Sequence, residues 1–226
     1  MGFNAMKYSF VFAAAWILLA GGCHVQQPVQ RAEGNYYLNP SADFLHLGKV
    51  VMLELENLTL YPEQGRDFSE ALADGLGKKH LFSVRLVRRS DPSWQRFDLD
   101  SIRQYTPQQL AEIRQNMGAD AVIFGTINRY SSYPHLMLGV HLKMLDLRTA
   151  EIVWAIEDVW DSTDQSTQKR MEQYFKTEMR TGYEPLNWKI LENSPRYFNK
   201  FVVYEITRTL PDYQTLQNKI LSSENK

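Results

Sequence analysis

The chain has 226 residues with Lys plus Arg at 25 against Asp plus Glu at 26, and 44% of it is hydrophobic. That balance excludes wholesale disorder, and it excludes a nucleic-acid partner, which would need a clustered basic excess to meet the phosphates; the densest basic cluster is only Arg85, Arg88 and Arg89. A single cysteine, Cys23, excludes an internal disulfide and a cysteine-based zinc site.

In chain order, residues 8–20 (YSFVFAAAWILLA) are an apolar run of 13 residues after Lys7 and before Gly21-Gly22-Cys23. A basic start, a short apolar stretch and small residues before a cut make a secretory signal, and the run is too short for a spanning helix, which needs about 20 residues. The sequence LLAGGC resembles the lipobox of bacterial lipoproteins, with Ala20 standing where Leu is usual. The resemblance implies acylation (palmitate among the lipids) of Cys23 as the mature amino terminus; the alternative is ordinary cleavage after Gly22. His24, where an inner-membrane retention signal has Asp, implies the periplasmic face of the outer membrane. Residues 1–22 are then the signal peptide. Residues 23–47, rich in Gln, Pro, Asn and Ser, read as a flexible tether.

Residues 49–58 alternate, with Val51, Leu53 and Leu55 on one side and Glu54 and Glu56 on the other, as in a half-buried strand. Residues 68–80 carry Phe68, Ala71, Leu72 and Leu76 on one helical face, and 82–87 make a second strand. Thr106 and Pro107 open a helix that Gly118 closes. Residues 121–130, 136–147 and 151–160 read as three strands joined by short connections, hence an antiparallel meander. Two helical stripes follow, Met171, Tyr174, Phe175 and Met179, then Phe198, Phe201, Val202 and Ile206. The expected fold is α+β: a mixed sheet of about five strands in the order β-α-β-α-β-β-β over 48–162, with helices packed on it. A C-terminal helical extension over 163–226 completes the chain.

Chemistry is sparse. The five histidines at 24, 46, 80, 135 and 141 have no helical metal spacing, and Asp158, Asp161 and Asp164 read as a strand end and a helix cap rather than a calcium loop. No nucleophile elbow or phosphate loop is present, so no cofactor, metal or small-molecule substrate is expected. Glu54 and Glu56 are the one carboxylate pair open to a glycan-hydrolase reading, with solvent-facing alternation as the plainer account. Trp160, Tyr183 and Trp188 are the candidate partner-binding residues, since Trp and Tyr dominate interface hot spots. Trp154, Ile156 and Trp160 share strand parity with Ile152, a pattern that more often marks a core.

Three segments carry a family resemblance: Gly48-Lys-Val-Val-Met-Leu-Glu-Leu-Glu-Asn-Leu-Thr59, Gly118-Ala-Asp-Ala-Val-Ile-Phe-Gly125 and Leu145-Asp-Leu-Arg-Thr-Ala-Glu-Ile-Val-Trp154. Their order resembles the periplasmic domain of curli-secretion-channel, peptidoglycan-synthase-activator and Pel-export lipoproteins, whose fold is similar to the TolB amino-terminal domain. The match covers roughly 48–160. It departs in lacking the Pro-Phe pair late in the first strand and in having Ala150 at the hairpin glycine. The resemblance implies a non-enzymatic accessory component of an envelope export or assembly machine, acting as a homo-oligomer or through an envelope protein partner. The alternatives are a monomeric regulator docking onto a cell-wall synthase and, more distantly, an envelope glycan hydrolase.

Overall fold

The computed structural model describes residues 34–99, 105–179, 183 and 185–217; the signal-like segment and Cys23 lie outside them. Residues 31–226 form one compact unit. Its strands are β1 (Tyr36–Leu38), β2 (Lys49–Leu53), β3 (Glu56–Asn57), β4 (Ser83–Val87), β5 (Ala121–Ser131), β6 (Met137–Asp146) and β7 (Ile152–Asp161). The helices are α1 (Glu63–Gly77), α2 (Pro92–Arg96), α3 (Pro107–Met117), α4 (Gln165–Tyr174), α5 (Ile190–Asn193) and α6 (Pro195–Thr207), with one π-helical turn, Phe175–Met179, continuing α4.

The seven strands make one mixed sheet in the order β1-β7-β6-β5-β2-β4, with β3 also on β5. β2 runs parallel to both β4 and β5, and β5, β6 and β7 form the expected antiparallel meander. The architecture is therefore the α+β one, with β1 and β3 added to the five expected strands.

Local chemistry sets the frame. Thr106 and Gln109 form a reciprocal capping box at the start of α3, and Gly118 closes it at φ 60°. The Asp120 carboxylate accepts hydrogen bonds from the Gly48 and Lys49 N–H groups, both at 3.0 Å, and so pins the start of β2 against β5. Gly125 has no room for a side chain, because a Cβ there would lie 2.1 Å from the His141 carbonyl oxygen. In the β6–β7 turn, Asp146 accepts from the Arg148 N–H at 2.7 Å, and Ala150 takes the left-handed φ of 59° that a glycine would hold without cost.

The expected half-buried first strand differs from the observed one. Val50 to Leu53 are all buried, because β2 lies inside a sheet covered on both faces. Val50 and Met52 enter the core under α1 and α6, whereas Val51 and Leu53 enter the core under α2 and α3. The chain then breaks before β3, and Leu55 joins Val50 and Met52 rather than Val51 and Leu53. At the break the Leu55 N–H donates to the fully buried Ser69 hydroxyl at 2.9 Å, which in turn donates to the Gly65 carbonyl. A similar shift in the β6–β7 pairing sends Ile152 to the opposite core from Trp154, Ile156 and Trp160.

One segment reading is corrected. Within the stretch expected as a tether, Tyr36–Leu38 pairs antiparallel with β7, and Phe44 and Leu47 are buried. The C-terminal helical extension packs into the core: Phe198, Phe201, Val202 and Ile206 of α6 share one cluster with Met52, Ile123 and Trp154. The Trp154 indole N–H donates to Thr209 at 2.8 Å, tying the end of α6 to the sheet. α6 also lies close on α1, where a Cβ at Gly75 would meet Val203 at 2.2 Å. Those helices supply one wall of the core.

Candidate functional site

Three places answer to the sequence-predicted candidates. The Glu54 and Glu56 carboxylates line an open groove of about 480 Å³ with Asn57 and Arg89. Glu54 there accepts the Arg89 backbone N–H at 3.0 Å, which gives that carboxylate a structural task at the end of β2. The three aspartates are also occupied structurally. Asp161 accepts from the Thr163 N–H and hydroxyl, and Asp164 caps α4. The hydroxyl of Ser166 and the N–H of Thr167 hold the Asp164 carboxyl down at about 2.

The three aromatic candidates are not brought together. Trp160 is 1% exposed, packed in the core beneath the C-terminal helices, so it offers no face to a partner. Its parity with Trp154 already marked it as core. Tyr183 sits edge-on between Phe175 (6.0 Å) and Tyr197 (5.3 Å), and its hydrogen bond with Tyr197 raises its phenol above the usual range. Trp188, in a 3-10 turn at Asn187–Lys189, is half-buried against the same core. Tyr183 and Trp188 thus anchor the C-terminal layer while keeping part of each ring at the surface.

Among the described residues the three most exposed large apolar side chains, Leu60, Tyr133 and Leu58, lie elsewhere, at the end of the sheet where β5 turns into β6. The loop after β3 presents Leu58 (61% exposed), Leu60 (96%) and Tyr61 (40%), and the β5–β6 turn presents Tyr133 (84%). The loop is held in place: the Asn57 side chain donates to the Tyr61 carbonyl and accepts from the Thr59 N–H and hydroxyl. The Leu58 N–H donates to the Ile127 carbonyl of β5 at 3.0 Å, and Tyr61 packs edge-on against Tyr130 at 4.9 Å. These apolar side chains are therefore displayed on a braced backbone. Sequence reading passed over them because Leu58 and Leu60 look like the tail of a strand; the signal within reach was Asn57 followed by Thr59, a side-chain-built turn.

Among the described residues no group of three His, Cys, Asp or Glu is placed to hold a metal ion, and no helix is long and apolar enough to cross a membrane.

No protein-family model matches the chain, and no curated protein sequence does. Solved structures are similar to it. A PelC dodecamer from Paraburkholderia phytofirmans is 17% identical over 60% of this chain and 86% of that one, with a TM-score of 0.41. Lipoprotein GNA1162 from Neisseria meningitidis is 12% identical over 60% and 98%, with a TM-score of 0.41. The LpoB C-terminal domain from Escherichia coli is 19% identical over 52% and 86%, with a TM-score of 0.33.

Proposed function

We propose that the chain is a lipoprotein anchored through Cys23 to the periplasmic face of the outer membrane, working by binding rather than by catalysis. It serves as an accessory component of an envelope export or assembly machine and associates with copies of itself. The observation that carries the binding role is the display of Leu58, Leu60, Tyr61 and Tyr133 at one end of the sheet. Large side chains grouped in the open are characteristic of protein–protein contact surfaces. The LLAGGC sequence supports the anchor.

The test is the mass of the detergent-extracted protein by light scattering, after subtraction of bound detergent. A discrete multiple of the mass of the mature, acylated chain that begins at Cys23 is expected, falling to a monomer when Leu60 and Tyr133 are both replaced by Ser. A monomeric wild type refutes self-association, and a Cys23→Ala chain that stays in the membrane fraction refutes the anchor.

A further inference from the structure

Beside the apolar end, an open groove of about 590 Å³ runs between α1 and the start of α6. That volume falls within the range of roughly 300–1,000 Å³ typical of ligand sites. Gln64, Asp67 and Ala71 recur at helical spacing along one wall, and Arg196, Asn199 and Lys200 along the other. The floor is built from two amides: Gln64, 6% exposed, donates from Nε2 to Asn199 Oδ1 at 3.2 Å, and Asn199 is 8% exposed. Among the described residues neither amide has a second hydrogen-bond partner, which leaves the Gln64 carbonyl oxygen and the Asn199 NH₂ without protein partners. Swapping oxygen and nitrogen in both amides still leaves one acceptor and one donor, so the pattern does not depend on that assignment.

Both residues line the groove, so their remaining polar atoms face its solvent and are available to a ligand. One acceptor beside one donor is the complement of a peptide backbone, which offers C=O and N–H side by side. The charges across the groove divide by wall. Asp67 and Glu70 make the α1 side acidic, with Glu70 also holding Arg88 at 2.9 Å and Asp67 facing Arg66 at 3.6 Å. Arg196 and Lys200 make the α6 side basic; among the described residues neither is in an ion pair, and Lys200 lies over the Tyr197 ring. The amino-terminal end of α6 adds positive potential there, because the Ser194 hydroxyl does not cap it. Tyr130 closes the groove towards Tyr61 and the apolar end.

We infer that this groove holds an extended peptide segment of a partner protein, its backbone read by the Gln64–Asn199 pair. An acidic side chain of the segment faces Arg196 and Lys200, and a basic one faces Asp67 and Glu70. Neutral glycans match the amides but not the division of charge. The inference requires neither the lipid anchor nor self-association, so its failure is separable from theirs.

The test is selection of a phage-displayed random heptapeptide library on the detergent-extracted chain, followed by fluorescence anisotropy of the selected peptides. Enrichment of peptides carrying both an acid and a base is expected. Their affinity should fall at least about tenfold in the Arg196→Glu/Lys200→Glu chain, whose altered side chains are exposed, and recover for peptides with the acid changed to Lys. Asn199→Leu should weaken binding at every salt concentration, with circular dichroism confirming that the chain stays folded. No enrichment, or peptides indifferent to the charge reversal, overturns the inference. So does a wild-type chain that binds neutral N-acetylated oligosaccharides and no peptide.

Discussion

Replacement of Phe201 by Ala tests whether the C-terminal helices belong to the core. The ring is fully buried on α6, 5.8 Å from Tyr174 and 6.1 Å from Phe198, in the same cluster as Met52, Ile123 and Trp154. Removing a fully buried Phe side chain costs about 3–5 kcal/mol, from lost transfer energy and the cavity left behind. Against a total stability of about 5–15 kcal/mol for such a domain, that is a large fraction. For a chain of this size the melting temperature should drop by roughly 6–20 °C, at about 2–4 °C per kcal/mol. The assay is urea and thermal unfolding of residues 31–226, followed by far-ultraviolet circular dichroism and tryptophan fluorescence. Both probes should report one shared transition, because Trp154 in the sheet is bonded to Thr209 at the end of α6. A loss below about 1 kcal/mol, or two separate transitions with the sheet unaffected, would show that α6 is an appendage and refute the single-core account.

Ala150→Gly should stabilise the chain by about 0.5–1 kcal/mol, since relief of the left-handed strain exceeds the added freedom of the unfolded glycine; a higher urea midpoint with unchanged slope is the check. Tyr174 titrates at about 12 in the folded chain, held up chiefly by burial and then by Glu178 and neighbouring tyrosines, against 10 in the unfolded chain. The folded state therefore keeps this proton more tightly: its contribution is complete below pH 10 and lost between about pH 10 and 12. Urea midpoints at pH 9 and 11.5 should fall less in Tyr174→Phe than in the parent chain; equal falls would refute that role for Tyr174.

What could be read from the chain alone was what short stretches decide among themselves. The Thr106 cap, Pro107 and Gly118 bound a helix through contacts within a few residues. The meander followed from connections too short to allow a crossover. The three segments that carry the family resemblance turn out to be working parts of the sheet: Asp120 pins β2, Gly125 admits the backbone of β6, and Asp146 builds a turn. The tertiary structure decided what depends on residues far apart in the chain. The break before β3, stabilised by Ser69 on α1, moves Leu55 to the other core, which strand parity along β2 cannot foresee. Trp160 and Leu60 make the same point from opposite sides. Both are large apolar side chains, yet one is buried by α6 and its neighbours while the other stands in solvent on a loop braced by Asn57. Burial is set by which distant element arrives to cover a side chain, and the α1–α6 groove exists only because two helices more than 100 residues apart meet over the sheet.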